Sequence, residues 1–117
     1  MDVTVRQEAD ITVVEATGKM MVGQGGTKIW DAVREGLDAG HRKIVLSLSG
    51  VTRLDSSGVG ELVAAHTSAV RKGGRIKLAG LSPRLAQVLQ VTRLEGLVET
   101  HEYEADAVTS FVSDREA

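Results

Sequence analysis

The spacing of apolar positions along the chain changes several times, and each change marks an element. Val3 and Val5 alternate with polar residues, Gln7-Glu8-Ala9-Asp10 supplies a turn, and Ile11, Val13 and Val14 resume an extended run. Residues 3–17 therefore read as an antiparallel hairpin. From Thr27 to Leu37 the period lengthens: Ile29, Trp30, Val33 and Leu37 fall on one helical face, and Gly40 closes the segment. Lys43-Ile44-Val45-Leu46-Ser47-Leu48-Ser49 is extended and nearly continuously apolar, which suits a central strand covered on both faces. A helix follows from about Gly58, with Val59, Leu62, Val63 and Val70 at helical spacing before Gly73-Gly74 ends it. Arg75 to Ala79 is a strand. Ser82 and Pro83 have the order of a cap and a first helical residue, and Leu85, Val88 and Leu89 give that helix its inward face. A short strand over 97–100 and a helix from about Tyr103, carrying Ala107, Val108, Phe111 and Val112, complete the order ββαβαβαβα.

Strands that alternate with helices pair in parallel through right-handed crossovers, and the opening hairpin adds an antiparallel edge. The expectation is an α/β fold with a mixed β-sheet. Residues 1–117 form one domain, since no linker, repeat or low-complexity run interrupts them. The apolar share of 42% and charged share of 26% are those of a globular chain.

Composition then removes several functions. The absence of cysteine excludes disulfides, thiolate zinc sites and cysteine nucleophiles, and suits a reducing compartment. His41, His66 and His101 lie far apart without paired-ligand spacing, so no metal site is expected. A net charge of −2 and one each of Trp, Tyr and Phe provide neither a basic field nor a stacking platform for nucleic acid. No apolar run approaches bilayer length and the chain opens Met1-Asp2, so no membrane association and a cytoplasmic location are expected. Gly23-Gln24-Gly25-Gly26 lacks the Gly-Lys-Ser/Thr ending of a phosphate loop and reads as a connection, with no cofactor implied.

The chemistry concentrates in Leu54-Asp55-Ser56-Ser57-Gly58-Val59-Gly60-Glu61-Leu62, between the central strand and the second helix. Two hydroxyls and a carboxylate stand at a helix N-terminus, where free N–H groups and the dipole favour an anion, a covalent phosphate included. Gly58 and Gly60 keep side chains out of the first turn and allow close approach. The plainer reading is capping, for which Asp and Ser are preferred without further function. Elsewhere, Met20, Met21 and Val22 form an apolar cluster at a loop, either tucked into the core or exposed as contact surface. Trp30 belongs to the inward stripe of its helix. His66 lies about two and a half turns beyond Ser57 and reads as a solvated or core-edge residue rather than a general base. The charges within 99–106 read as a solvated face. No nucleophile, base and orienter can be assembled, so binding rather than catalysis is expected.

The run Ile44 through Leu62, with its apolar strand, short loop and Asp55-Ser56-Ser57-Gly58-Val59-Gly60, resembles the signature of STAS domains of the anti-sigma factor antagonist class. Gly73-Gly74-Arg75-Ile76-Lys77-Leu78-Ala79-Gly80-Leu81-Ser82-Pro83 and Leu94-Glu95-Gly96-Leu97 are similar to later parts of that family's pattern. The resemblance implies a switch. The unmodified domain binds an anti-sigma factor that is also a serine kinase of the histidine-kinase-like ATPase type, and phosphorylation of the serine after the Asp breaks the complex. A serine phosphatase then resets it. Carried over, the phosphorylated residue is Ser56, with Ser57 as the alternative and the expected cap. The partner surface is Asp55, Ser56, Ser57, Gly58, Val59 and Gly60 together with Met20 and Met21, and homodimers are allowed. One departure stands out: switching relatives carry Gly-Asp/Glu-(Leu/Ile)-Asp after the second strand, whereas here the residues are Gly18-Lys19-Met20-Met21. That substitution keeps open a non-switching STAS scaffold subunit of a signalling or transport complex. A small enzyme or nucleotide-binding domain built on the same helix terminus is a third reading.

Overall fold

The computed structural model describes residues 2–21, 28–93 and 96–116, with side chains to residue 112. The first two strands, β1 (Asp2–Glu8) and β2 (Ile11–Met20), form the antiparallel hairpin. Its turn is tighter than the expected Gln7–Asp10, because Gln7 and Glu8 stay paired with Thr12 and Ile11. Ala9, at φ 54°, takes the left-handed conformation that a short hairpin turn demands. The remaining elements are α1 (Lys28–Asp38), β3 (Lys43–Leu54), α2 (Ser56–Arg71), β4 (Arg75–Ala79), α3 (Pro83–Val91), β5 (Glu99–His101) and α4 (Glu104–Glu116). The strands lie in sequence order, β1-β2-β3-β4-β5, and every pairing after the hairpin is parallel.

Two strands run further than their hydrophobicity predicts. β2 continues past Thr17 to Met20 and β3 past Ser49 to Leu54, although Ser49, Gly50, Thr52 and Arg53 have the look of a loop. Register shifts between Glu15 and Thr17 and between Gly18 and Lys19 keep the two strands paired over this stretch, with Gly18 at φ 103°. Gly50 suits the close pairing, since a Cβ there would stand 2.5 Å from Thr17 Cγ2 and that side chain would have to move. β4 pairs with β3 only up to Ser47 and Ala79, and β1 with β2 only up to Asp2 and Thr17, so from Gly18 and Val51 onward β2 and β3 continue as a two-stranded overhang.

One face of the sheet carries α1, α2 and α3 on Val14, Ile44, Leu46, Leu48, Ile76 and Leu78. The helices bury Ile29, Val33, Leu37, Leu62, Ala65, Ala69, Leu85 and Leu89 there. In α2 the inward stripe runs through Gly58, Leu62, Ala65 and Ala69, and Val70, expected inside, is 57% exposed. The small residues let α2 lie close to the sheet, which apolar bulk alone does not reveal. The opposite face, made by Ile11, Val13, Val45 and Ala79, is covered by Ala107 and Phe111 of α4, while Val112 points outward.

Of the charges within 99–106, Glu99, Glu102 and Asp106 are exposed, as a solvated face requires, but Glu99 and Glu104 are also paired. Glu99 reaches the ammonium of Lys77 at 3.1 Å, and Glu104 pairs with Arg6, which also meets Glu8 and Glu15. Lys77 is fully buried, its Nζ 4.3 Å from the centre of the Phe111 ring. It alternates along β4 with Ile76 and Leu78, so the α4 face must hold it. The last strand also starts later than expected: Val98 enters the core, Leu97 is exposed, and pairing with β4 begins at Glu99.

Candidate functional site

The overhang ends where Met20 and Leu54 lie side by side, and the chain then turns into α2. Asp55 makes the turn with an extended backbone. Its carboxylate accepts the Gly58 N–H at 3.0 Å, and its own N–H donates to the Met20 carbonyl at 3.2 Å. Asp55 is thus the helix cap, the role expected of Ser57, and α2 begins at Ser56, two residues before the expected start. Both serines are exposed in the first turn.

The two glycines have different uses. Gly58 is buried: a Cβ there would stand 2.4 Å from the Met20 carbonyl oxygen and 2.5 Å from Leu54 Cδ1. Its missing side chain is spent on packing α2 against the overhang rather than on admitting a partner. Gly60 faces open space, with no atom within 4 Å of its would-be Cβ, and Val59 between them is half-buried.

The methionines divide as well. Met20 is 1% exposed and belongs to the core, which removes its side chain from the contact surface. Val22 and the glycine-rich stretch 23–26 lie outside the described residues, as do Leu94 and Glu95. Met21 is half-buried and lines a groove of about 460 Å³ with Arg53, Leu54, Arg84, Leu85 and Val88. This groove opens between the overhang and α3, where β4 has already stopped. The sequence hints at it only in that Arg53 directly precedes Leu54-Asp55.

Glu61, one turn into α2, is a second residue that sequence reasoning leaves unassigned. Its Oε1 accepts the N–H groups of Ile29 at 2.8 Å and Trp30 at 3.2 Å, so a carboxylate of α2 caps the start of α1. Burial raises its pKa, and the two N–H groups only partly oppose that. Trp30 is half-buried rather than core; its indole N–H donates to Ser68 at 3.1 Å, and the Arg34 guanidinium sits 5.3 Å from the ring centre. His66 is half-buried on the same helix, away from the first turn.

The family model described as "Mlab, STAS domain" matches residues 3–99. The chain belongs to the STAS domain family. A Thermotoga neapolitana protein named as an anti-sigma factor antagonist homolog is 32% identical over 74 residues, which are 63% of this chain and 66% of that protein, just under two thirds of its length. Among solved structures, the Bacillus cell fate determinant SpoIIAA in its phosphorylated form superposes with a TM-score of 0.70 at 19% identity, over 94% of this chain and 99% of that one. A sulfate transporter family protein from Wolinella succinogenes gives a TM-score of 0.76 at 18% identity, over 94% and 91% of the two chains. At these identities the structural likenesses speak for the STAS fold alone. No helix among the described residues is long and apolar enough to cross a membrane.

Proposed function

We propose that this chain is an anti-sigma factor antagonist: a cytoplasmic binding module that sequesters an anti-sigma factor with serine kinase activity and is released by phosphorylation of Ser56. The observation that carries the reading is the exposed Ser56 hydroxyl at the first helical position, directly after a cap whose carboxylate is engaged with the Gly58 N–H. The relationship to the Thermotoga neapolitana protein supports the partner class. A phosphoryl group brings a charge of about −1.5 to −2. On Ser56 it would lie beside Asp55 and oppose a partner that approaches the first turn closely. A serine phosphatase would restore the binding form.

A second reading has its own observation. Where switching relatives carry an acidic loop, this chain has Lys19-Met20-Met21, with Met20 in the core. A STAS subunit that assembles in a scaffold without a phosphorylation cycle, with copies of itself or related domains, would have no need of that loop. One experiment separates the two. The chain is incubated with ATP and a histidine-kinase-like ATPase from the same genome, then analysed by intact mass and phosphopeptide mapping. A single phosphate on Ser56 is expected. Phosphate confined to Ser57, or none at all, would sink the switch. Ser56→Asp should also bind the kinase much more weakly than Ser56→Ala, both keeping the fold.

A further inference from the structure

The groove between the overhang and α3 has a chemistry of its own. Its floor is apolar, made by Met21, Leu54, Leu85 and Val88, while Arg53 from β3 and Arg84 from α3 stand over it. Lys19 is the register partner of Arg53 across the overhang and brings a third cation to the same end. All three are exposed, and among the described residues none lies within ion-pair distance of a carboxylate. In a chain of net charge −2 this is a local positive field on an apolar bed. The apolar surface also continues past the groove: Val91, one turn beyond Val88 on α3, is 77% exposed. From Leu85 to Val91 the helix rises about 9 Å, enough to lie along two turns of another helix.

We infer that this groove receives an amphipathic helical segment of the partner protein, with aliphatic side chains on Met21, Leu54 and Val88 and Asp or Glu side chains against Arg53 and Arg84. The inference rests on the antagonist reading and names the chemistry of its partner surface. A second copy of this chain is a poorer occupant, since a two-fold contact through this face would set the same cations against themselves. A lone small anion would leave the apolar floor uncovered.

The charge pattern also gives the Lys19-Met20-Met21 substitution a purpose. Met21 contributes a piece of the floor and Met20 the packing beneath, so where switching relatives are acidic the groove here is lined by apolar side chains and Arg53. A phosphate on Ser56, two residues beyond Leu54, would place a negative group at the edge of the groove and compete with the partner's carboxylates for Arg53. Exclusion by phosphate then needs no acidic loop.

The test is selection and charge exchange. A display library of random 15-residue helical peptides is panned on the full chain, and the best binder is synthesised and titrated by fluorescence anisotropy. Enrichment of peptides with Leu, Ile or Met at helical spacing flanked by Asp or Glu is expected. Arg53→Glu with Arg84→Glu should weaken the best peptide at least tenfold, and a peptide with its acids changed to Lys should regain affinity for that variant. Circular dichroism checks the fold of the variant; if it is lost, single Arg→Gln changes with a salt titration replace it. Enrichment of basic or uncharged peptides, or binding indifferent to the double change, would overturn the inference. So would arginine-dependent adsorption to phosphatidylglycerol vesicles with no peptide selected. Phosphorylation of Ser56 without acidic-peptide binding would remove the groove and leave the switch. Charge-exchanged peptide binding without phosphorylation would do the reverse.

Discussion

Under α1, α2 and α3 the sheet presents aliphatic side chains from Val14 across to Leu78, and the helices answer with Ile29, Val33, Leu62 and Leu85. Under α4 the contact is smaller and of another kind. Ala107 and Phe111 meet Ile11, Val13, Val45 and Ala79, and in their midst lies the ammonium of Lys77, held by Glu99 at 3.1 Å and by the Ser110 hydroxyl. Glu99 in turn takes a hydrogen bond from Ser110 at 2.8 Å and has His101 Nε2 at 2.5 Å. Arg6 reaches from β1 to Glu104 at the start of the same helix. One face is held by apolar area, which has no charge for pH or screening to act on. The other adds an ionic clasp whose strength depends on both.

Four perturbations should separate the two faces. Leu46→Ala, beneath the three-helix face, should cost about 2–5 kcal/mol in urea denaturation, because a cavity opens where little can collapse into it. A loss below ~1 kcal/mol would mean that this face does not carry the fold. On the other face, Lys77→Ala should cost about 1–3 kcal/mol, since it removes packing and leaves Glu99 without its cation. Lys77→Met should stay within ~1 kcal/mol of the parent, because an apolar side chain of similar length replaces the buried charge. Equal losses for the two would show that the charge and not the stem is what matters there.

A third point is pH. Burial pushes Glu99 upward, but hydrogen bonds from His101, Ser110 and Lys77 outweigh it and hold the carboxyl at about 2, below its usual 4.5. A folded pKa below the unfolded one means stability that is present above about pH 4.5 and is lost as pH falls toward 2. Glu99→Gln should therefore be less stable at pH 7 and lose less between pH 4.5 and 2. The carboxylate is 43% exposed, so solvent keeps the difference small. Parallel acid limbs for parent and variant would refute the clasp. Smallest of all should be Arg6→Ala, at about 0–1 kcal/mol, because all four of its groups are partly in water. Its effect should vanish in 1 M salt.

The contrast between the faces is also the boundary of what the sequence discloses. Helical spacing marks Ile29, Val33 and Leu37, and near-continuous hydrophobicity marks Ile44 to Leu48, because apolar burial leaves a local period. Lys77 leaves none, since its partners Glu99 and Ser110 stand 22 and 33 residues away. At the site, the motif points to the turn from β3 into α2, but capping falls to Asp55 and not Ser57. The motif cannot tell which oxygen meets the Gly58 N–H. Glu61 and Arg84 are invisible for the same reason as Lys77: each acquires its meaning from an element far along the chain.

The overhang of β2 and β3 has a mechanical consequence. From Leu48 to Leu54, β3 has a strand on one side only, its root clamped at the Ser47 and Ala79 pairing and its tip joined to α2 through Asp55. That is a cantilever, and its free edge is the groove. A ribbon of two strands accepts more twist than a full sheet. The first turn of α2 is joined to that tip, with Gly58 packed against the Met20 carbonyl. Ser56 follows directly on Asp55 at that tip, so a change in the ribbon's twist would reorient it.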